Sequence, residues 1–265
     1  MSPPCGRVAN SQRPRTIIFK LHWFGDRERI WSARKNLQGS KIWLQEDFPA
    51  QIQQRRRLLQ PIAREARRQG MRASVVVDKL ILNGSSYSVD TLQRLPENLS
   101  PAKVATRTDS SVTAFYTSQS PLSNFFMRDI KDDNGTKYHS SEQMYQVKKA
   151  RMFHDHAAVT KIMSCKTPYE CYTEGKRIQN FNSQLWKDKA PEVMHEVCTY
   201  KFCQHADLKA FLLETGETTL AEASKHDTYW GVGLALQHKD IFKQDRWTGQ
   251  NWMGKTLMKV RRELQ

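Results

Sequence analysis

The sequence predicts an α+β protein of two modules, a small basic α/β module followed by a larger helix-rich one. Three observations carry that expectation. Charge is split unevenly: residues 1–110 hold 20 Lys+Arg against 9 Asp+Glu, whereas residues 111–265 hold 22 against 18. In the first part, hydrophobic patterns of period two and period 3.6 follow one another, as strand and helix do. From Ala114 onward aromatics, Asn, Gln and His interleave through several helical stretches, and the charges nearly balance. The expected division is a disordered N-terminus over 1–15, a basic module over 16–95, a linker over 96–112 and a second module over 113–265.

In the first module, TIIFKLHWF (16–24) alternates as a strand, with Ile17, Phe19, Leu21 and Trp23 on one side. A helix is expected over 26–37, where Ile30, Ala33 and Leu37 fall at helical spacing and Gly39 closes the segment. KIWLQED (41–47) reads as a second strand. After Phe48 and Pro49 comes a long basic helix with Leu58, Leu59, Ile62 and Ala66 as its inward stripe and Gly70 at its end. Its arginines, Arg55, Arg56, Arg57, Arg64, Arg67 and Arg68, are dense enough to attract phosphates, although a solvated charged face is the simpler alternative. Two β-rich runs within 74–90 then meet at Asn83-Gly84, a hairpin signal.

FKLHWFGDRERIWSARKNL, IWLQEDFP, RRRLLQPIAREAR and DKLILNGSSY resemble the C-terminal half of the RNA-binding proteins encoded by the first reading frame of LINE-type retrotransposons. The resemblance implies single-stranded nucleic acid as a partner of residues 16–95, with Phe19 or Trp23 stacking on bases unless they are core. Only the last strand-helix-strand portion of a recognition motif matches. Residues 93–111, QRLPENLSPAKVATRTDSS, lack sustained periodicity and read as the linker.

Other function classes are narrowed by composition. With 265 residues and 38% hydrophobic content the chain can bury a core. No run approaches the roughly eighteen apolar residues of a membrane span, and MSPPCGRVANSQRPR lacks an apolar leader core. The five cysteines, Cys5, Cys165, Cys171, Cys198 and Cys203, are odd in number and lack CxxC spacing, so reduced thiols in the cytoplasm or nucleus are expected. Cys198, Cys203 and His205 match no common zinc spacing, and no metal is expected.

In the second module, FYTSQSPLSNFF (115–126) begins as a strand, DIKDDNGTKYHS (129–140) reads as a hairpin about Asn134-Gly135, and HSSEQMYQVKKA (139–150) opens a helix. Ser140 with Gln143 fits the capping-box pattern, which starts the helix at Ser141 and puts Glu142 in its first turn. Free backbone N–H groups there favour an ionised carboxylate unless burial dominates. Glu142, Tyr145, Gln146 and Lys149 share one face. Spacing alone leaves the plainer alternative open, that Glu142 only complements the helix dipole and Lys149 is solvated.

PLSNFF (121–126), SSEQMYQVKKA, WKDKAPEVMHEVCTYKF (186–202), LLETGETTLAEAS (212–224), HDTYWGVG (226–233) and WTGQNWMGKTLMKVRREL (247–264) resemble, in order, the NADAR family. The resemblance spans Phe115 to Leu264 and departs in the 17 residues from Leu234 to Gln250, which stand where bacterial members have a short Gly-rich loop and should lie near the site. It implies an N-glycosidase that needs no metal or cofactor and hydrolyses a ribosyl C1–N bond, in ribosylamine phosphates of riboflavin synthesis or in ADP-ribose attached to guanine. Such chemistry passes through an oxocarbenium-like state and calls for a nearby anion. Glu142 then stabilises the cation or takes a proton from water, and Asp227 is a second carboxylate candidate or an Asx cap. Lys149 can meet a phosphate. Phe125, Tyr145, Trp186 and Trp230 can flank base or ribose, or be core. Gly231 and Gly233 permit close backbone approach or simply a tight turn, with Gly254 in the same class. Asn124, Gln146 and Asn251 can bond ribose hydroxyls or diphosphate, or brace loops, and Arg261 matches a family arginine. A catalytically silent protein that binds nucleic acid and ADP-ribose is the alternative, and a small-molecule glycosidase a third reading. No oligomeric state is indicated.

Overall fold

The structure, a computed structural model, describes residues 24–39 and 48–265. The chain divides into two compact units, 1–54 and 55–265. In the first, α1 (Phe24–Ala33) passes into a 3-10 turn over Arg34–Leu37, close to the helix expected there. The strand expected over 41–47 lies outside the described residues, as does that over 16–24 apart from Phe24, which begins α1.

The basic helix is α2 (Ala50–Arg68), continuous through Pro61, whose missing N–H leaves the Arg57 carbonyl without its helical donor. In the second unit its buried stripe is Leu59, Ile62, Ala63 and Ala66; Leu58 is only half-buried. The stripe packs on Leu80 and Leu82 of an antiparallel meander, β1 (Ala73–Val76), β2 (Lys79–Leu82) and β3 (Ser85–Tyr87). The hairpin read from the sequence is there: Asn83 and Gly84 turn β2 into β3 with φ of +49° and +91°.

The stretch expected as a linker is structured. Leu99 and Val104 share the core of Leu59 and Ile62, α3 (Pro101–Val104) is capped by Ser100, and β4 (Thr106–Thr108) pairs antiparallel with β5 (Val112–Phe115). The short turns Val89–Arg94 and Glu97–Leu99 are 3-10, so their apolar residues follow neither a strand nor an α-helical period.

Then come the hairpin β6 (Met127–Lys131) and β7 (Lys137–Ser140), the helices α4 (Ser141–Met152), α5 (His156–Ser164), α6 (Pro168–Gly175), α7 (Ser183–Gln204) and α8 (Ala206–Leu213), the strand β8 (Thr219–Glu222) and α9 (Trp252–Leu264). Starts are set by local chemistry: Asp155 caps α5, Asn182 caps α7, and Thr167 with Glu170 forms a capping box on α6. Met144 and Val147 of α4 share one core with Val197 and Phe202 of α7 and Leu257 and Val260 of α9.

The strand that positions the site is β8. It pairs parallel with β5, Phe115 opposite Glu222, giving a three-stranded sheet ordered β4-β5-β8. One face, with Phe115 and Leu220, joins the helical core; the other, with Val112, Ala114 and Ala221, is covered by Leu236 and Ile241. The middle of the 234–250 segment therefore roofs the sheet, fixed by Arg107 donating to the Leu236 carbonyl at 2.7 Å and Trp247 to that of Ile241 at 2.9 Å. Among the described residues no helix is long and apolar enough to cross a membrane.

Candidate active site

Two loops leave the carboxyl ends of the parallel pair, one carrying Asn124 and the other Asp227 and Trp230, and the N-terminus of α4 meets them. Ser140 accepts the Gln143 N–H at 3.2 Å, and the Gln143 side chain reaches back to the His139 N–H at 2.8 Å, so α4 starts where its capping pattern says. The Glu142 N–H donates to the Asn124 carbonyl at 3.1 Å.

Glu142 is only 5% exposed, and its carboxylate is held by two amides rather than by the helix terminus. Asn124 donates to one oxygen at 2.8 Å and Gln146 to the other at 2.7 Å. Burial pushes its pKa upward against those two donations, so the helix terminus and the donors do not set its proton affinity alone. Each amide donates its NH2 to Glu142, which fixes its orientation. The carbonyl oxygens they turn the other way, Asn124 Oδ1 and Gln146 Oε1, are buried and have no donor among the described residues. Buried acceptors are rarely left so.

Around this group stand aromatic rings. Tyr145 lies 5.2 Å from Trp186 and 5.8 Å, edge-on, from Trp230, while half-buried Phe125 meets Tyr172 edge-on at 6.1 Å. Trp186 is buried in the helical core, and half-buried Trp230 packs against that core. Lys149 donates to the Gly175 carbonyl at 2.9 Å and sits 4.4 Å above the Phe181 ring, and burial lowers its pKa. Gly175 leaves room for the Gln146 carbonyl, which a Cβ there would displace.

Asp227 accepts the N–H groups of Tyr229 at 3.0 Å and Trp230 at 2.8 Å through one oxygen, the Asx geometry the sequence left open. Gly231 closes that turn, where a Cβ would come within 2.8 Å of the Asp227 carbonyl and 2.9 Å of the Glu222 carbonyl. Gly233, at φ +77°, packs against Thr248, so only the ends of the 234–250 segment come near this turn. Asn251, Gly254 and Arg261 act as braces. Asn251 accepts from the Glu222 N–H at 3.2 Å and donates to the Leu220 carbonyl at 2.8 Å, Gly254 lets α9 lie against that carbonyl, and Arg261 donates to Thr215 at 2.7 Å and to the Thr218 carbonyl at 2.9 Å.

A carboxylate that the sequence reading did not single out joins the group. Glu222 ends β8 and is half-buried; although solvent still reaches part of it, the protein around it, then the charges of Asp227 and Glu142, push its carboxyl up to about 8. Its signal was an acid closing the apolar run Leu220-Ala221 just ahead of the Asp227 turn. That signal is weak without the knowledge that β8 pairs with β5.

Other expected residues are placed apart. Arg55 pairs with Asp78 at 2.7 Å, Arg56 donates to the Val77 carbonyl at 2.6 Å, Arg67 to that of Ala63 at 3.1 Å, and Arg68 to Glu65 and Gln237, both at 3.1 Å. Arg57 and Arg64, exposed and two turns apart, make no ion pair among the described residues. His205 accepts from Arg128 at 3.3 Å, and no group of three His, Cys, Asp or Glu among the described residues is disposed to hold a metal. A surface cavity of about 570 Å³ beside α5 and α6, lined by Tyr169, Glu170 and Arg177 among others, contains none of the clustered carboxylates.

The NADAR domain family matches residues 108–265. An N-glycosidase of Acanthamoeba polyphaga mimivirus is 36% identical over 140 residues, 53% of this chain and 82% of that protein. A riboflavin biosynthesis protein of Vibrio vulnificus is 33% identical over 144 residues, 54% of this chain and 35% of its own length. The NMR structure of the E. coli protein YbiA is 27% identical with a TM-score of 0.49, covering 62% of this chain and 90% of that one.

Proposed function

Because the chain belongs to the NADAR family, we propose that it is an N-glycosidase that hydrolyses the bond between a ribose anomeric carbon and nitrogen, with Glu142 against the ribosyl group. One observation carries this reading: a buried carboxylate held by two amides whose own carbonyl oxygens lack donors among the described residues. A ribosyl ring brings hydroxyl donors for Asn124 Oδ1 and Gln146 Oε1 and, as its C1–N bond lengthens, a positive charge for Glu142. The amides hold the carboxylate in place before charge develops. Little reorganisation is then needed in the transition state.

Tyr145, Trp186 and Trp230 form the apolar wall against ribose or base, Phe125 stands at the rim, and Lys149 supplies a cation for a substrate phosphate. Asp227 shapes the turn that carries Trp230 and adds negative potential. The names of the relatives, N-glycosidase and riboflavin biosynthesis protein, support the reaction class. Two substrate types fit: ADP-ribose on guanine bases of nucleic acid, and ribosylamine phosphates. Of these we favour the first, because Arg57 and Arg64 leave two cations on α2 to meet a phosphate backbone.

The test is to incubate the purified chain and Glu142→Ala with an oligonucleotide carrying ADP-ribose on guanine, and separately with a ribosylamine phosphate, following ribosyl release by mass spectrometry. Release by the wild type, reduced about 10³-fold or more in the variant, is the expected result. Saturable binding without release from either substrate would replace this reading with that of a non-catalytic binder.

A further inference from the structure

We propose that Glu222 is the proton donor of this site, handing its proton to the leaving nitrogen as the C1–N bond breaks. The inference rests on the N-glycosidase reading and adds to it the residue that makes the nitrogen able to leave. In the step, the bonding electron pair departs with nitrogen while nitrogen receives the Glu222 proton. Water then forms the C1–O bond and its surplus proton returns to Glu222. The balance is one water consumed and one N–H and one O–H product formed.

Geometry supports the assignment first. Glu222 sits at the carboxyl end of the parallel pair, from which both site loops depart. Its backbone is fixed: the N–H donates to Asn251 at 3.2 Å, and the carbonyl accepts from Ser224 and Val232, both at 2.9 Å. Gly231 lies against that carbonyl and that of Asp227, which ties Glu222 to the turn bearing Trp230.

The second support is the difference between two glutamates. Both oxygens of Glu142 receive amide N–H groups, an arrangement that suits an anion and leaves little room for a proton. Glu222 has no side-chain hydrogen bond among the described residues, so its proton is free to point at a ligand, and part of the side chain is reachable from outside. The ionisable groups around it come from four directions: Glu142 on α4, Asp227 beyond β8, Tyr116 beyond β5 and Cys198 on α7. Burial pushes Cys198 up to about 12 and raises Tyr116 as well, so both are neutral, and the two carboxylates only favour a retained proton. Lys201, also on α7, donates instead to the Ser123 carbonyl at 2.8 Å. Two acids in one site with environments that separate their proton affinities mark an acid and an anion.

The experiment compares wild type, Glu222→Gln and Glu222→Asp on the two substrates above, from pH 5.5 to 9.5, with thermal unfolding of each. Wild-type kcat is expected to fall on the alkaline side as Glu222 ionises near pH 8. Glu222→Gln keeps the wild-type Tm or exceeds it, loses about 10²–10³-fold in kcat with little change in KM, and no longer shows that alkaline fall. Should Glu222→Gln fail to fold, Glu222→Asp decides, since it retains an acid of shorter reach: lowered kcat with the alkaline limb kept supports the role, and unchanged kcat overturns it. A folded Glu222→Gln within twofold of wild type, with the same limb, overturns the role while leaving the N-glycosidase reading intact. No release by wild type from either substrate overturns both.

Discussion

On α2, Arg55 faces Asp78 at 2.7 Å and Arg68 faces Glu65 at 3.1 Å, with over half of each guanidinium side chain in water. At the head of α4, Glu142 is enclosed and met by two neutral amides. The contrast separates charge that costs the fold little from charge that the fold must tolerate. An exposed pair exchanges hydration for a screened attraction and contributes little either way. A buried carboxylate loses its hydration and recovers it only in part, and here burial raises its pKa in spite of its donors. A fold gains no stability from such a group. Its presence fits a site whose ligand completes the missing interactions.

The largest way to break this comparison is Glu142→Gln. Loss of about 10²–10³-fold in kcat is expected, with a pH-dependent gain in stability alongside. The sign follows from the raised pKa. A carboxyl whose folded pKa exceeds its unfolded value is most favourable to folding when protonated, and that contribution disappears as pH climbs from the unfolded value through the folded one. Glutamine removes the dependence, so the Tm advantage of the variant is expected to grow as pH rises above the ordinary carboxylate range. A Tm deficit that grows with pH would show the anion to be stabilising.

Next in size is Gly175→Ala, whose methyl would displace the Gln146 carbonyl and tilt the amide off Glu142. About a tenfold loss of kcat and a stability loss of about 1–3 kcal/mol are expected, read by steady-state kinetics and denaturant unfolding. On the exposed side, the double change Arg57→Glu with Arg64→Glu is expected to lower affinity for single-stranded oligonucleotides and reduce the slope of log K against log salt by about two. Turnover of a ribosylamine phosphate should stay as in wild type. Smallest is Arg55→Ala, which breaks an exposed ion pair and is expected to shift Tm by about 1 °C or less.

The sequence was legible where the physics is local. Ser140 and Gln143 set the start of α4, Asn83-Gly84 the β2–β3 turn, and the shared face of Glu142, Tyr145, Gln146 and Lys149 survived into the fold. What remained hidden depended on distant partners. The proton affinity of Glu142 is set by burial under loops that start from β5 and β8, which no first-turn rule contains. Glu222 gains its setting only once β8 lies beside β5. Asn251 and Arg261 have the chemistry of ligand contacts, yet their partners are the backbone at Leu220, Glu222 and Thr218 and the hydroxyl of Thr215. The stretch over 93–111 looked structureless because Leu95, Leu99 and Val104 are too few to show a period, though they fill the core beside α2.

The parallel pairing of residues 112–115 with 219–222 also bears on the order in which the molecule is made. During synthesis Glu142 leaves the ribosome long before β8, and β8 long before the Asn251 amide that holds it to α9. Such non-local contacts form late. A nascent chain thus carries its glutamates unassembled until α9 has been made and brings the Asn251 amide to β8.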